Sequence, residues 1–257
     1  MQEAGTQELT RGQDEGEKKP GRRERKARRI LLAAMHQFAR AGYHSARMED
    51  IASELAIAKG SIFQHFGSKE ALFLAAYREA VRSLSKYLDA PADVVEQGFF
   101  ATLGYWLERT ERLLRENWVP YRLGLIGNYT SDLDLRREIN RFLVEEDPFG
   151  TMPFVRMGIE RGEVRDDVDP ELIGSILEWT VERFQDALLT EELDPGLFRQ
   201  PRGRPDRIDA RKEQFLKVLE SALAARPGEG RSRRRGRPSA SPPRRAVRRK
   251  NPRSSGA

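Results

Sequence analysis

The sequence predicts an all-α fold, and three observations support this. Apolar residues recur at helical spacing through most of the chain between residues 24 and 224. No segment alternates apolar and polar residues as a half-buried strand does. The chain also has no Asn-Gly hairpin signal and no internal repeat. Helices are therefore expected to form the whole folded part.

The first helix is predicted from about Glu24 to Ala41. Ile30, Ala34 and Phe38 recur there at helical spacing. Gly42 follows directly, and a glycine at this position commonly caps the C-terminus of a helix.

Three more short helices are predicted in quick succession. Apolar residues at i, i+3, i+4 and i+7 from Met48 onwards predict a second helix. A tight turn then leads into a third helix that is brief and polar on its outer side. Gly67 ends this third helix, and Ser68 caps the fourth. The predicted ranges are 48–56 for the second helix, 56–58 for the turn, 59–66 for the third helix and 69–88 for the fourth.

Pro91 interrupts the helical pattern, and six further helices are predicted after it. Their predicted ranges are 93–116, 119–130, 134–146, 149–161, 170–190 and 207–224. The termini are too polar to offset the entropy of ordering, and we expect them to be disordered. The predicted organisation is a disordered segment at 1–22, a three-helix unit at 23–83, a helical body at 84–225 and a disordered basic tail at 226–257.

Charge is distributed unevenly around a formal net charge of +6. Residues 226–257 contain twelve Lys or Arg and one Glu, and residues 22–70 have a net charge of +5. The segment between them, residues 71–225, has a net charge of −8. Two basic regions flank an acidic body, which predicts a polyanionic partner for the basic regions and a different role for the middle.

Several functional classes are excluded by composition. The chain has no cysteine, so disulfides, thiol catalysis and cysteine-based zinc sites are excluded, and a reducing cytoplasm is the expected location. The longest apolar run has seven residues, far fewer than the roughly 20 needed to cross a bilayer. The polar N-terminus lacks a secretory pattern. There are only three histidines and no phosphate loop, zinc-ligand spacing or nucleophile motif. We therefore expect no enzyme activity, no metal, no cofactor and no membrane association.

The third predicted helix has the character of a helix that enters the DNA major groove. With Ile62 and Phe66 pointing inward, its other side chains face outward. Lys and Gln side chains there can donate to base edges, and a glycine lets the backbone approach closely. The outward residues are Lys59, Gly60, Ser61, Phe63, Gln64 and His65. Lys69, at the start of the next helix, is a candidate phosphate contact.

The segment from about residue 30 to 72 resembles the DNA-binding domain of the TetR family of bacterial repressors. The matching residues are Ile30, Ala34, Phe38, Gly42-Tyr43, Asp50-Ile51-Ala52, Ile57-Ala58-Lys59-Gly60-Ser61-Ile62-Phe63, His65-Phe66 and Ser68-Lys69-Glu70-Ala71-Leu72. The resemblance covers about a fifth of the chain. It implies a helix-turn-helix over about Arg47 to Phe66.

The resemblance also implies roles for individual residues. Lys59, Gly60, Ser61 and Gln64 would face the bases, and Phe63, His65 and Lys69 would lie along the DNA backbone. The usual hydroxyl cap of the second helix is replaced by Ala46 and Arg47. Ser45 is the remaining nearby hydroxyl and is included among the candidates. Phe63 and His65 have packing as an equal alternative to DNA contact.

The helices near 170–190 and 207–224 carry apolar stripes. In the TetR family the last two long helices form a four-helix bundle with a second copy, so the resemblance implies a homodimer. Two recognition helices would then lie about 34 Å apart on a palindromic operator. Burial of both stripes within one subunit is the alternative.

Aromatic residues are frequent in the middle helices. They could line a pocket for an apolar effector whose binding changes the spacing of the two DNA-binding units. An aromatic stripe that only builds the core is the alternative. The candidates for the effector pocket are Phe99, Tyr105, Trp106, Trp118, Tyr121 and Phe154.

The basic tail contains Arg235-Gly236-Arg237-Pro238. This tetrapeptide resembles an AT-hook, an extended segment that inserts arginines into the narrow minor groove of A·T-rich DNA. A general electrostatic affinity of the tail for DNA is the alternative.

Two hypotheses of different class follow from these features. The first is a dimeric, sequence-specific transcriptional regulator, a repressor released from its operator by a small molecule. The alternative is an architectural nucleoid or RNA-binding protein in which the tail dominates. Both place the protein in the cytoplasm on the nucleoid. Raising the salt concentration distinguishes the two hypotheses. A sequence-specific helix-turn-helix keeps its preference for one site, whereas a basic tail loses affinity for all sequences alike.

Overall fold

The computed structural model describes residues 21–198 and 208–226, and within them the fold is all-α, as predicted. There is no strand in these ranges, only an isolated bridge between Val164 and Ala224. A 3₁₀ turn follows the tenth helix at Glu191–Leu193. The helices are α1 (Arg22–Ser45), α2 (Met48–Glu54), α3 (Lys59–Phe66), α4 (Lys69–Leu88), α5 (Ala92–Glu96), α6 (Phe99–Glu116), α7 (Trp118–Asn128), α8 (Leu133–Glu146), α9 (Thr151–Glu160), α10 (Pro170–Leu189) and α11 (Ile208–Leu223).

The predicted disordered segments lie almost wholly outside the described residues. At the N-terminal end α1 already begins at Arg22, two residues before the predicted start. At the C-terminal end only Arg226 of the predicted tail is described, so the tetrapeptide at 235–238 lies outside the structure's described part.

Helices α1 to α4 enclose the first of the hydrophobic cores. Fully buried side chains from each helix meet there, including Phe38, Ile51, Ile62 and Phe73. The rings of Phe38 and Phe73 are 5.1 Å apart in an edge-to-face arrangement. Burial of each such side chain stabilises the fold by about 1.5–3 kcal/mol, so this core holds α3 firmly against α2 and α4.

Helix α1 continues past the position where the sequence predicted its end. Gly42 has a φ of 77°, and the chain kinks there but resumes helical geometry up to Ser45. The Ala46 amide still donates to the Gly42 carbonyl at 3.3 Å. Gly42 is therefore a kink within α1 rather than its end, which a left-handed φ makes possible at glycine.

The single helix predicted over 93–116 is divided into α5 and α6. Gly98 lies between them with a φ of 121°, a value that interrupts helical geometry. The Phe99 amide, the first of α6, donates to the Glu163 carboxylate. An acidic side chain distant in sequence thus accepts a hydrogen bond from a free amide at the start of α6. The local sequence does not reveal this partner.

Helix α7 joins the first four helices to the rest of the molecule. It packs against both α1 and α4, and the Trp118 and His36 rings are 6.2 Å apart. A β-carbon at Gly127 would lie only 2.3 Å from the Tyr77 ring, so α7 and α4 approach more closely than any larger residue allows. The four N-terminal helices and the body therefore share a continuous packed boundary.

A second core fills the body. It joins α6, α9, α10 and α11 through buried residues such as Phe99, Val155, Ile173 and Leu219. The Phe99 and Phe154 rings stack at 4.2 Å. Between this core and α4 the helices diverge and leave the cavity described below.

Candidate nucleic-acid interface and internal cavity

The turn between α2 and α3 sets the angle of the presented helix. The Ile57 amide donates to the Ala52 carbonyl at 3.0 Å, and the Ala56 amide donates to the Ser53 carbonyl at 3.1 Å. This pair of bonds is the Schellman motif, which requires a left-handed residue after the helix. Ala56 takes that position with a φ of 51°, although glycine suits it better.

Helix α3 turns one face to the core and the other to solvent. Ile62 is buried, and Phe66 packs against the same core. Lys59, Gly60 and Gln64 are exposed on the opposite face, and Ser61 is half-buried beside them. A β-carbon at Gly60 would meet nothing within 4 Å, so the backbone there is open to an approaching molecule.

Lys59 is held by an acidic side chain of the neighbouring helix. Its Nζ lies 2.5 Å from Glu49 Oε1 and 5.8 Å from the centroid of the Phe63 ring. The hydrogen bond from Lys59 lowers the pKa of Glu49 below its ordinary value. Both groups are well exposed, so the pair is weak and can exchange for another anion.

Lys69, the candidate phosphate contact, forms a hydrogen bond within the protein. Its Nζ donates to the His44 carbonyl at 2.9 Å and lies 5.2 Å from the centre of the Tyr43 ring. Partial burial lowers its pKa. Ser68 caps the same helix by accepting the Ala71 amide at 3.0 Å, as predicted. Lys69 therefore ties the start of α4 to the end of α1.

Ser45 does not replace the missing hydroxyl cap of α2. It is the last residue of α1, and the N-cap of α2 is Arg47, whose side chain makes no capping bond. Glu49 and Asp50 instead place negative charge in the first turn of α2. Phe63 and His65 are half-buried, and Phe63 packs against the first core.

A cavity of about 680 Å³ lies between α4, α6, α7, α9 and α10. This volume is within the range of small-molecule sites. Of the six predicted pocket residues, Trp106, Tyr121 and Phe154 line it, together with leucines from α4, α6 and α7. Two further rings, of Tyr77 and Phe149, complete the aromatic part of the wall.

The other three predicted pocket residues lie elsewhere. Phe99 is fully buried in the second core, behind Phe154. Tyr105 lies on α6 outside the cavity lining, with its ring 5.4 Å from the Arg109 guanidinium. Trp118 is 40% exposed at the start of α7 beside His36. Helical spacing alone could not distinguish aromatic residues that line the cavity from those that do not. The packing of neighbouring helices decides which face of a helix borders the cavity.

Two tyrosines hold a buried carboxylate at one side of the cavity. The Tyr121 and Tyr129 hydroxyls donate to Asp186 at 3.0 and 2.8 Å. Arg183 in turn donates to the Tyr129 hydroxyl at 2.7 Å. Burial raises the pKa of Asp186, while the two tyrosine hydrogen bonds oppose that rise.

Glu182 lies one turn before Asp186 and also borders the cavity. The Asn128 side-chain amide donates to it, and the Tyr77 hydroxyl donates to Asn128 at 3.0 Å. Burial, followed by the charges of Asp186 and Glu178, raises the pKa of Glu182 to about 7. The side chain as a whole nevertheless remains exposed to solvent. Sequence analysis missed this acidic site, although the regular spacing of acids along α10 was visible.

Residues 30–76 match the sequence profile of bacterial regulatory proteins of the tetR family. The matched segment begins inside α1, contains the whole helix-turn-helix and ends inside α4. Residues 30–76 are therefore similar to the DNA-binding part of this family. With the relatives described next, the match shows that the protein is a DNA-binding transcriptional regulator.

Similarity to curated relatives extends beyond this segment. The chain is 28% identical over 170 residues to the HTH-type transcriptional repressor AcnR of Corynebacterium glutamicum, a match that covers 65% of this chain and 84% of that one. It is 36% identical over 78 residues to the transcriptional activator FasR of Mycolicibacterium smegmatis, covering 27% and 36% of the two chains.

Solved structures share the fold of this chain. The transcriptional regulator FadR of Bacillus subtilis, determined in complex with stearoyl-CoA, aligns with a TM-score of 0.58 at 20% identity, over 76% of this chain and 97% of that one. A tetR family regulator from a Shewanella species aligns with a TM-score of 0.55 at 16% identity, over 78% and 99%.

Large apolar side chains remain exposed on α10 and α11. Trp179 and Val218 are each 65% exposed, and Leu172 is 47% exposed. They belong to α10 and α11, the helices in which sequence analysis placed a dimer interface.

In the part of the chain that the structure describes, no helix has the length and apolar character to cross a membrane. The same part of the chain contains no group of three or more acidic or histidine side chains placed to hold a metal ion.

Proposed function

We propose that this protein is a ligand-responsive repressor that binds a palindromic operator as a homodimer. The observation that carries the proposal is the shared helix α4. Its first turn supports the DNA-binding helices, and its second half forms a wall of the cavity. A ligand in the cavity therefore touches the same rigid element that positions α3.

Recognition is assigned to the outward face of α3. Lys59 and Gln64 donate to base edges, with Gly60 and Ser61 allowing close approach. Phe63, His65 and Lys69 lie along the DNA backbone, where Lys69 can use the N–H groups that the His44 carbonyl leaves free. DNA binding exchanges the Glu49 partner of Lys59 for a base or phosphate acceptor.

Ligand control is assigned to a displacement of α4. Val81, Leu84 and Leu88 line the cavity from this helix, which is about 30 Å long. A ligand that fits only when α4 moves favours the displaced conformation, and α4 carries that movement to α3 through the core in which both helices pack.

The homodimer is assigned to α10 and α11. Exposed Leu172, Trp179 and Val218 would be covered by a second copy, as large exposed apolar patches usually are. The parts assigned to DNA and to ligand are residues 23–83 and 84–225, with the boundary falling inside α4.

Repression is favoured over activation because the longer of the two relatives' matches is to a repressor. The architectural alternative depends on the tail, which lies outside the described residues. Nothing in the comparisons supports that alternative, since the matches are to transcriptional regulators.

The test is selection of fragmented genomic DNA by the full-length protein at moderately high salt, followed by sequencing. We expect an enriched palindrome, and we expect Lys59→Ala and Gln64→Ala each to weaken binding to it by about 1–3 kcal/mol. Deletion of 226–257 should weaken binding to all DNA alike. Retention of A·T-rich fragments without a shared motif, or equal losses on every sequence in all variants, would overturn the assignment.

A further inference from the structure

The acidic residues of α10 form a single stripe. Glu171, Glu178, Glu182 and Asp186 are spaced by seven, four and four residues, which places them on one face of a helix. All four line the cavity, and they are the only acidic residues of this helix. The exposed Leu172 and Trp179 of the proposed dimer surface lie beside this stripe on α10.

The cavity wall has a strong excess of negative charge. Asp89 and Asp147 add to the four acids of α10, and Arg156 is the one basic residue of the lining. The Asp147 carboxylate accepts the Thr151 and Met152 amides at 2.9 and 3.2 Å, so a helix N-terminus offsets its charge.

Two of the carboxylates lack such compensation. Among the described residues, neither Glu178 nor Glu182 forms an ion pair with Lys or Arg. The nearest cationic influence on Glu182 is Arg136, whose guanidinium donates to the Asn128 backbone carbonyl. Neither carboxyl therefore has a salt-bridge partner that a cation entering the cavity would have to displace.

The rest of the wall is apolar and aromatic. Trp106 and Phe154 are 4.8 Å apart between their ring centres and lie on the same cavity as the acids. Aromatic faces attract cations, and the leucine side chains favour a hydrocarbon body. An anionic headgroup would instead meet like charge at these carboxylates, which is unfavourable.

We propose that the effector is an amphipathic cation, an amine or quaternary ammonium joined to a hydrophobic body. Its cationic group would lie between Glu178 and Glu182, and its body would lie against Trp106 and Phe154. This inference rests on the proposed function, because it names the chemical class of that same effector. This chemical class differs from stearoyl-CoA, the anion with which the FadR structure was determined.

The test uses three probes of matched chain length: decyltrimethylammonium, decanol and decanoate, each below its micellar concentration. Calorimetric titration of the full-length protein should give an affinity for the cation at least tenfold higher than for decanoate. In the double variant Glu178→Gln/Glu182→Gln the cation should lose at least tenfold, and decanol should bind unchanged. Glu160→Gln, an exposed acid of α9 outside the cavity, is the matched control and should bind like the wild type.

Three results would overturn the proposal. They are equal or tighter binding of decanoate, undiminished cation binding by the double variant, and failure of the cation to bind at all. If the double variant does not fold, the single variant Glu182→Gln and the probe series on the wild type decide the matter.

Operator release distinguishes this inference from the proposed function. Release by decanoate or an acyl-CoA but not by the cation would refute the cation and leave the ligand-responsive repressor intact. Binding of the cation in the cavity without release of the operator would support the assigned chemistry and refute ligand control through α4.

Discussion

Helices α1 to α4 and the helical body differ in how completely their interiors are filled. In α1 to α4 the interior is closed, and the proposed recognition surface is an outer one around Gly60, where an added β-carbon meets nothing. In the body the proposed ligand site is inside, in a cavity of about 680 Å³. A recognition surface needs a rigid support, whereas a ligand site needs unfilled space, so tight packing serves the two regions differently.

The largest expected effect is at the contact between the two regions. Gly127→Ala would place a β-carbon 2.3 Å from the Tyr77 ring and 3.1 Å from Ile139, both buried. We expect a loss of about 3 kcal/mol in the free energy of unfolding, measured by urea denaturation. Gly124→Ala, three residues earlier on α7, meets its nearest atom at 3.9 Å and should not destabilise the protein. Equal stability of the two variants would refute the close packing of α7 on α4.

Gly60→Ala tests the outer surface of α3, where the backbone is open to an approaching molecule. The substitution creates no clash and improves helix propensity, so stability should stay constant or rise by up to about 1 kcal/mol. The added methyl group should hinder approach of α3 to base edges, and we expect roughly tenfold weaker operator binding in a mobility-shift titration. A variant that lost stability but kept operator affinity would show that Gly60 belongs to the core instead.

Glu182→Gln tests the cavity wall through the pH dependence of the free energy of unfolding. Burial raises the pKa of Glu182 to about 7 from 4.5 in the unfolded chain, so the folded state binds an extra proton between these values. The wild type should therefore lose stability as pH rises through 7, and the variant should not. We expect the variant to be about 1 kcal/mol more stable at pH 8, a reduced value because water reaches the carboxyl from the cavity.

Urea denaturation of both proteins between pH 4 and 8 measures this difference. The groups that face Glu182 are Glu178 and Asp186 on α10, Arg136 on α8, Asn128 on α7 and Tyr77 on α4. The two stabilities should converge at pH 4, where the carboxyl is protonated in both states. A difference that stayed constant over the whole range would contradict a raised pKa.

The smallest expected effect is in the turn of the helix-turn-helix. Ala56 has a φ of 51°, and replacement by glycine removes the strain of a left-handed residue while adding freedom to the unfolded chain. Because these two effects oppose each other, we expect Ala56→Gly to stabilise the protein by only about 0.5 kcal/mol in the same assay. A clear loss of stability would mean that the Ala56 methyl group makes a contact that offsets its strain.

The predicted helix bounds were most accurate where the signals were local. Helices α3 and α4 begin and end as predicted, because Gly67 and Ser68 act within one turn of the boundary they define. The break at Gly98 was missed, because the carboxylate that satisfies the start of α6 comes from Glu163, sixty-four residues along the chain.

The cavity was only partly predictable for the same reason. Trp106, Tyr121 and Phe154 line it, but nothing in the pattern of one helix reveals that Phe99 packs behind Phe154. The acid spacing on α10 could be read from the sequence, yet its meaning depends on α4, α6 and α7 leaving the space that the acids face. Tertiary packing, not local propensity, decides such sites.

The three tryptophans of this chain each report on a different part of it. Trp106 borders the cavity, Trp118 touches His36 where α7 meets α1, and Trp179 is largely exposed on α10. Retaining one and replacing the other two by phenylalanine would yield three proteins with a single intrinsic fluorophore each. Ligand entry, movement of the DNA-binding helices and self-association could then be followed separately by emission, without any attached dye.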